Sequence, residues 1–125
     1  MKNMTIAVIA VAALAVLVSG AYAAVASGQT LTLRGTLIDN ACAGHQTPEQ
    51  LTAFIKTHTK ECALMPGCAA SGYGIFADGI FRRFDDASNA RIEAFLHRAD
   101  SKLEVVVVVR QVGERLELVS VENQM

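Results

Sequence analysis

Hydrophobic and polar residues begin to alternate at Thr30. Leucines stand at positions 31, 33 and 37, and polar side chains stand at positions 32, 34 and 36. A period of two predicts a half-buried β-strand. Gly35 within this run predicts a bulge or a sharp bend. Asp39 and Asn40 both favour turns, so the predicted strand ends there.

A helix is predicted to begin at Thr47. Thr47 can cap it, Pro48 suits the first helical position, and Gln50 completes a capping box. The apolar positions then recur with helical spacing, and the predicted inward face comprises Leu51, Phe54, Ile55, His58 and Cys62. The pattern therefore predicts one helix that carries His58 and Cys62 on the same face and ends before Pro66.

The second half of the chain predicts four more strands and one more helix. Residues 73–77 and 80–84 form a hairpin across Asp78-Gly79, and a polar turn at 85–89 caps a helix. The run of valines at 105–109 predicts a strand buried on both faces, and residues 116–121 follow a turn at Gly113. The inward face of the predicted helix comprises Ile92, Phe95, Leu96 and Ala99.

This order predicts a mainly β protein with two helices. Five strands with a helix between the third and the fourth are typical of the OB-fold, a small five-stranded barrel. We therefore expect an OB-like domain over residues 30–125, with a helical Cys/His insertion at 40–72 between strands 1 and 2. An α+β sandwich of the same elements is the alternative.

The first 23 residues have the features of a signal peptide. Lys2 gives a positive start, an apolar run follows, and Ala21-Tyr22-Ala23 fits the cleavage pattern. Residues 24–29 then form a linker. We expect an exported protein, periplasmic or secreted, with no stable membrane span after cleavage. A retained anchor is the alternative, although the apolar run is shorter than a membrane span needs.

The charge balance disfavours nucleic acid as a partner. The chain has 11 basic and 12 acidic side chains, and loss of Lys2 with the signal peptide makes the net charge −2. A mildly acidic domain does not attract phosphate backbones. The sequence identifies no partner, and a protein and a small ligand both stay open.

The chemistry of the chain is concentrated between Asp39 and Gly74. This stretch holds every cysteine and two of the three histidines, in the spacing C-x2-H-x12-H-x3-C-x5-C. In the favoured interpretation two cysteines form a disulfide, and the candidates are Cys42, Cys62 and Cys68. Closing the loop from Cys42 to Cys68 would stabilise the fold by roughly 3 kcal/mol. The protein would then be a non-enzymatic binding or accessory module with one spare thiol.

A metal site is the second interpretation. Cys42, His45, His58 and Cys62 could supply four nitrogen and sulfur ligands for zinc, with Cys68 as an alternate. Copper is the other candidate metal, because soft sulfur ligands select Cu(I) and Met65 lies midway between Cys62 and Cys68. Asp39 could add an oxygen ligand, but an Asx turn that closes strand 1 explains it equally well.

Thiol-redox chemistry is the third interpretation. His58 could activate Cys62 or Cys68 by lowering the pKa of a thiol. The sequence contains no C-x-x-C motif, which weakens a thioredoxin-like role. We therefore predict no catalytic residue and no enzymatic activity.

Several segments carry a resemblance to other proteins. They are GTLIDNAC at 35–42, KECALMPGCAASGYGIFADG at 60–79 and the closing VVVVVRQVGERLELVSVE at 105–122. Together they resemble a class of small exported bacterial proteins of undefined function, which have a predicted OB-like domain and a D-x-x-C…C…C-x-x-x-G-Y pattern. The resemblance implies export and a barrel fold, and it implies no activity.

Overall fold

The computed structural model describes residues 29–125. The predicted signal peptide at 1–23, and all of the predicted linker except Gln29, lie outside the described residues. Within 29–125, no helix has the length and apolar character that crossing a membrane requires.

Five strands form one antiparallel sheet in the order β3-β2-β1-β4-β5. They are β1 (Thr30–Asp39), β2 (Tyr73–Ala77), β3 (Ile80–Arg83), β4 (Glu104–Val112) and β5 (Arg115–Asn123). The predicted strands are confirmed. The central strand is β1, which pairs with β4 along its first part and with β2 along its last part. The end of β1 is therefore held on the β2 side of the sheet.

Five short helices accompany the sheet in residues 29–125, so the prediction of two helices is wrong. Four lie between β1 and β2: α1 (Asn40–Ala43), α2 (Pro48–Phe54), α3 (Lys60–Ala63) and α4 (Pro66–Ala70). The fifth, α5 (Asp86–Leu96), lies between β3 and β4 and is capped by the Asp85 carboxylate, as the polar turn predicted. The insertion at 40–72 is thus a chain of separate helical turns.

The main core lies between the sheet and α5. Ile92, Phe95 and Leu96 of α5 pack into it, whereas Ala99 follows the helix and is exposed. The valines of β4 alternate: those at positions 105, 107 and 109 are fully buried, and those at 106 and 108 are half-buried. The prediction that this strand is buried on both faces is therefore wrong, because only one face of β4 meets the core.

A second, smaller core holds part of the insertion against the sheet. Ile38 of β1 and Phe76 of β2 pack there with Ala43 of α1 and Leu51 of α2. Ile38 directly follows Leu37, which belongs to the main core, and successive strand residues point to opposite faces. Helices α1 and α2 therefore cover the face of the sheet opposite α5.

A bulge is one of the two features predicted at Gly35, and the pairing of β1 shows none there. The pairing of β1 with β4 is continuous across it, and the irregularity in the sheet lies between Val108 and Val109. A Cβ atom at Gly35 would lie 2.4 Å from the carbonyl oxygen of Phe76. Glycine is required here because a neighbouring backbone approaches closely.

The sheet is not closed into a barrel. Its two outer strands approach each other at one point, where Phe84 and Leu116 form an isolated parallel bridge. The predicted hairpin between β2 and β3 is confirmed. Its turn residues Asp78 and Gly79 have φ angles of 52° and 76°, as this tight turn requires.

Candidate metal centre

Asp39 ends β1 and begins α1. One oxygen of its carboxylate, Oδ2, accepts a hydrogen bond of 2.9 Å from the backbone N–H of Cys42. This cap fixes the first turn of α1, a short helix that could not form alone. The Cys42 side chain is therefore placed one turn beyond the end of the central strand.

His58 and Cys62 do not share a helix, contrary to the prediction. Helix α2 has the predicted capping box but ends at Phe54, and α3 begins after Thr59, whose hydroxyl accepts a hydrogen bond of 3.1 Å from the Cys62 N–H. The hydroxyl of Thr57 donates to the carbonyl of Phe54. Two threonines therefore supply local hydrogen bonds that compete with a continuing helix.

Helix α3, which carries Cys62, is anchored to the sheet by Tyr73. The fully buried hydroxyl of Tyr73 donates a hydrogen bond of 2.9 Å to the carbonyl of Ala63. Burial, reinforced by the negative charges of Glu93 and Asp39, raises the pKa of Tyr73 to about 12. The hydroxyl therefore remains a donor across the physiological pH range.

The second oxygen of Asp39 binds His58. Atom Oδ1 lies 2.9 Å from Nε2 of His58, and the two side chains are 0% and 1% exposed. Burial alone would raise the pKa of Asp39, but hydrogen bonds from His58 and Cys42 outweigh it and hold that pKa below its usual range. The carboxylate is therefore ionised, and its Oδ1 accepts a hydrogen bond from the Nε2–H group of His58.

The other ring nitrogen of His58, Nδ1, is buried and has no hydrogen-bond partner among the described residues. In a neutral imidazole whose Nε2 carries the proton, Nδ1 presents a lone pair. Buried polar atoms are nearly always hydrogen-bonded, so an unpaired one requires an explanation. The ring is also held in place by Phe54, whose centroid lies 5.0 Å from that of His58.

Two groups of three donor atoms surround Cys42. The first is Cys42, His58 and Cys62, whose donor atoms all lie within 4.8 Å of one another, and the second is Asp39, Cys42 and Cys68, within the same limit. His58 and Asp39 are buried, whereas the three cysteines are part-exposed. The cluster therefore combines two buried polar side chains with three part-exposed cysteines.

Cys42 and Cys68 are weaker acids than an ordinary cysteine, because the pKa of each thiol is raised. Burial raises the pKa of Cys42 to about 12, and the hydrogen bond of this thiol with Asp39 and the negative charge of Asp39 add to the effect. Burial and the charge of Asp39 also raise the pKa of Cys68. Because the thiolate is the nucleophilic form, this environment does not favour a reactive catalytic thiol.

Two of the predicted ligands are exposed to solvent. His45 follows α1 and is exposed, and Met65 is 56% exposed at the beginning of α4. Neither residue can be told apart from the clustered ones by spacing alone. Sequence reasoning did not find the contact of Asp39 with His58 or the anchor that Tyr73 provides, because both join residues distant in sequence.

Cys42, Cys62 and Cys68 are free thiols, with no two sulfurs at bonding distance. The disulfide therefore stays a prediction.

Comparison of the chain with protein-family models, with curated proteins and with solved structures finds no match.

Proposed function

We propose that this protein binds a zinc ion through Nδ1 of His58 and the sulfurs of Cys42 and Cys62. Two observations carry the proposal: a ring nitrogen of His58 lies within 4.8 Å of the sulfurs of Cys42 and Cys62, and Nδ1 of this ring is buried with no hydrogen-bond partner among the described residues. A bound cation would satisfy the lone pair of Nδ1. It would also convert the two thiols to thiolates, which are the form that binds metal.

The surroundings of His58 support this role. Metal-binding histidines usually donate their second ring N–H to a carboxylate, which orients the ring and makes the ligand nitrogen more basic. Asp39 accepts that hydrogen bond from Nε2 at 2.9 Å. The same carboxylate caps the helix that carries Cys42, so one side chain positions two of the three proposed ligands.

Zinc is the metal that this donor set favours. One imidazole and two thiolates are ligands that zinc accepts in tetrahedral sites, and its fourth position can be held by water. Cu(I) would be favoured by an added thioether, but the Met65 side chain is 56% exposed. The structure therefore favours zinc over copper, and the experiment below distinguishes the two metals.

We further propose that the protein is exported, has an OB-like fold and is not an enzyme. The features of a signal peptide in residues 1–23 support export. The central place of β1 and the bridge between Phe84 and Leu116 support an OB-like arrangement. Its role would then be to hold or carry zinc outside the cytoplasm.

The test is metal analysis of the full chain after purification under reducing conditions without chelator. We expect about one zinc ion per chain, and loss of most of it in His58→Ala. The matched control is His45→Ala, which removes an exposed histidine from the same insertion and should keep the zinc. Equal zinc contents in the two variants would contradict the proposed ligands, and stoichiometric copper would contradict the choice of metal.

A further inference from the structure

The sulfur of Cys42 lies within 4.8 Å of two other sulfurs. It shares one donor group with Cys62 and His58 and the other with Cys68 and Asp39, and in each group the donor atoms lie within 4.8 Å of one another. Cys68 does not belong to the group that we propose for zinc. The cluster therefore contains a third thiol beside a ligand thiol, with no role yet assigned.

Hydrogen bonds hold Cys42 and Cys68 near each other. The hydroxyl of Ser71 donates to the carbonyl of Cys68 at 2.6 Å and accepts from the N–H of Ala41 at 3.0 Å. The side chain of Asn40 donates to the carbonyl of Ser71 at 2.9 Å. Helix α1 is thereby fastened to the end of α4, so the proximity of these two cysteines is built into the backbone.

We propose that Cys42 and Cys68 form a reversible disulfide that releases the zinc ion. This inference rests on the proposed function. The sulfur of Cys42 cannot bond to Cys68 and also act as a thiolate ligand. The disulfide state would leave His58 and Cys62 as the only members of the ligand group, and two ligands hold zinc far more weakly than three.

The oxidant is a small-molecule disulfide such as glutathione disulfide. The thiolate form of Cys68, which is a small fraction because the pKa of this thiol is raised, attacks one of its sulfurs slowly, forms a mixed disulfide on Cys68 and expels one glutathione thiolate. The Cys42 thiolate then leaves the zinc ion and attacks the Cys68 sulfur, which expels the second. The two protein sulfurs lose two electrons in total and one glutathione disulfide gains them. The proton of the Cys68 thiol passes to the first departing glutathione, and the second departs as a thiolate that takes a proton from solvent, because zinc-bound Cys42 carries none.

The movement required is small. A disulfide brings its sulfurs to about 2.05 Å, and those of Cys42 and Cys68 begin within 4.8 Å. Their helices, α1 and α4, have four and five residues. The separation of the sulfurs must shrink by up to about 2.75 Å, and two helices this short can share that movement while the strands stay paired.

Zinc binding and oxidation oppose each other in this scheme. If the disulfide weakens zinc binding by a given factor, bound zinc must disfavour the disulfide by the same factor, since the two equilibria are linked. The site would hold zinc under reducing conditions and release it under oxidising ones. The two interpretations of the cysteines, as disulfide and as metal ligands, then describe two states of one cluster.

The experiment equilibrates the zinc-loaded full chain in buffers of increasing ratio of oxidised to reduced glutathione. Thiol alkylation and mass spectrometry measure the disulfide, and a chromogenic chelator measures free zinc. We expect zinc release to follow disulfide formation, and zinc affinity to fall at least about tenfold on oxidation. Peptide mapping should find the bond between Cys42 and Cys68.

Two serine variants separate this inference from the proposed function. Cys68→Ser should bind zinc like the wild type but keep it when oxidised, whereas Cys62→Ser should lose zinc but still form the disulfide. A reduced wild type that does not bind zinc would overturn the proposed function. Zinc bound when reduced and retained after the disulfide forms, or a redox-sensitive Cys68→Ser, would overturn only this inference.

Discussion

The imidazole of His58 and the carboxylate of Asp39 form a hydrogen-bonded pair that solvent does not reach. Their atoms Nε2 and Oδ1 lie 2.9 Å apart, and the residues are 19 positions apart in the chain. The pair joins the end of the central strand to the loop before α3. It therefore fixes the direction of the ring whose other nitrogen we propose as a zinc ligand.

The first prediction concerns this pair. Asp39→Asn keeps a side-chain oxygen that can cap α1 but removes the negative charge that faces His58. We expect zinc affinity, measured by competition with a chelator of known affinity, to fall about 10- to 100-fold. Urea unfolding of the metal-free variant, run in parallel, shows how much of the change reflects stability.

Glu93→Gln is the matched control. Glu93 also lies beside a histidine, with 4.0 Å between its Oε1 and Nε2 of His97, but these side chains are 43% and 62% exposed. Removing this charge should leave zinc affinity unchanged. Equal losses in both variants would mean that Asp39 acts only through the overall charge of the protein.

The second prediction concerns pH. Because the pKa of Cys42 is raised to about 12, its thiol is protonated throughout the neutral range, and zinc must displace that proton in order to bind. Zinc affinity should therefore rise with pH, by at least about tenfold per pH unit between pH 6 and 8 for one proton released. Titration calorimetry in two buffers of different ionisation enthalpy counts the protons.

Cys68→Ser provides the comparison for this pH dependence. Cys68 is outside the proposed ligand set, although its own pKa is also raised. The variant should release as many protons per zinc ion as the wild type. Zinc affinity that does not vary with pH would contradict thiolate binding by Cys42.

The third prediction concerns the anchor of α3. Tyr73→Phe leaves the buried carbonyl of Ala63 without the hydroxyl that now binds it at 2.9 Å. An unsatisfied buried acceptor costs about 1–3 kcal/mol, and we expect the free energy of unfolding in urea to fall by that amount. Zinc affinity should fall as well, because α3 carries Cys62.

Thr57→Val is the control for the loss of a hydroxyl. The Thr57 hydroxyl also donates to a backbone carbonyl, that of Phe54 at 3.2 Å, but it does so at an exposed position. Water can replace it, so we expect a change within about 0.5 kcal/mol. If this variant and Tyr73→Phe were equally destabilised, burial would not be the cause.

The fourth prediction tests the packing of the sheet. In Gly35→Ala the added methyl group would lie 2.4 Å from the Phe76 carbonyl oxygen, so β1 and β2 must separate locally. We expect a loss of about 1–3 kcal/mol in the free energy of unfolding. Gly67→Ala is the control: its Cβ would meet no atom within 4 Å, so stability should stay the same or rise by up to about 1 kcal/mol.

The elements that depend on local sequence could be predicted. The capping box at Thr47 and the Asp78-Gly79 hairpin each need only a few adjacent residues, and both are found. The break between α2 and α3 could not be predicted, because the apolar residues from Leu51 to Cys62 keep a helical spacing across it. The continuous helix does not form because the hydroxyl of Thr59 caps a separate helix, α3, by accepting a hydrogen bond from the N–H of Cys62.

The candidate site was predicted in part. Cys42, His58 and Cys62 are brought together, while His45 is exposed and outside the cluster. Spacing could not separate the two histidines, because each lies near a cysteine in sequence. The separation comes from the tertiary fold, which places one histidine against Asp39 and leaves the other in solvent.

Helices α1 to α4 have between four and seven residues each. Their shortness affects how a metal ion enters and leaves the cluster. Helical turns of this length are not stable without their tertiary contacts, and such segments open locally at lower cost than a sheet. A metal ion could enter or leave when one helical turn unfolds transiently while the strands stay paired. Exchange at the cluster would then be governed by the lifetime of those turns, and no permanent channel would be needed.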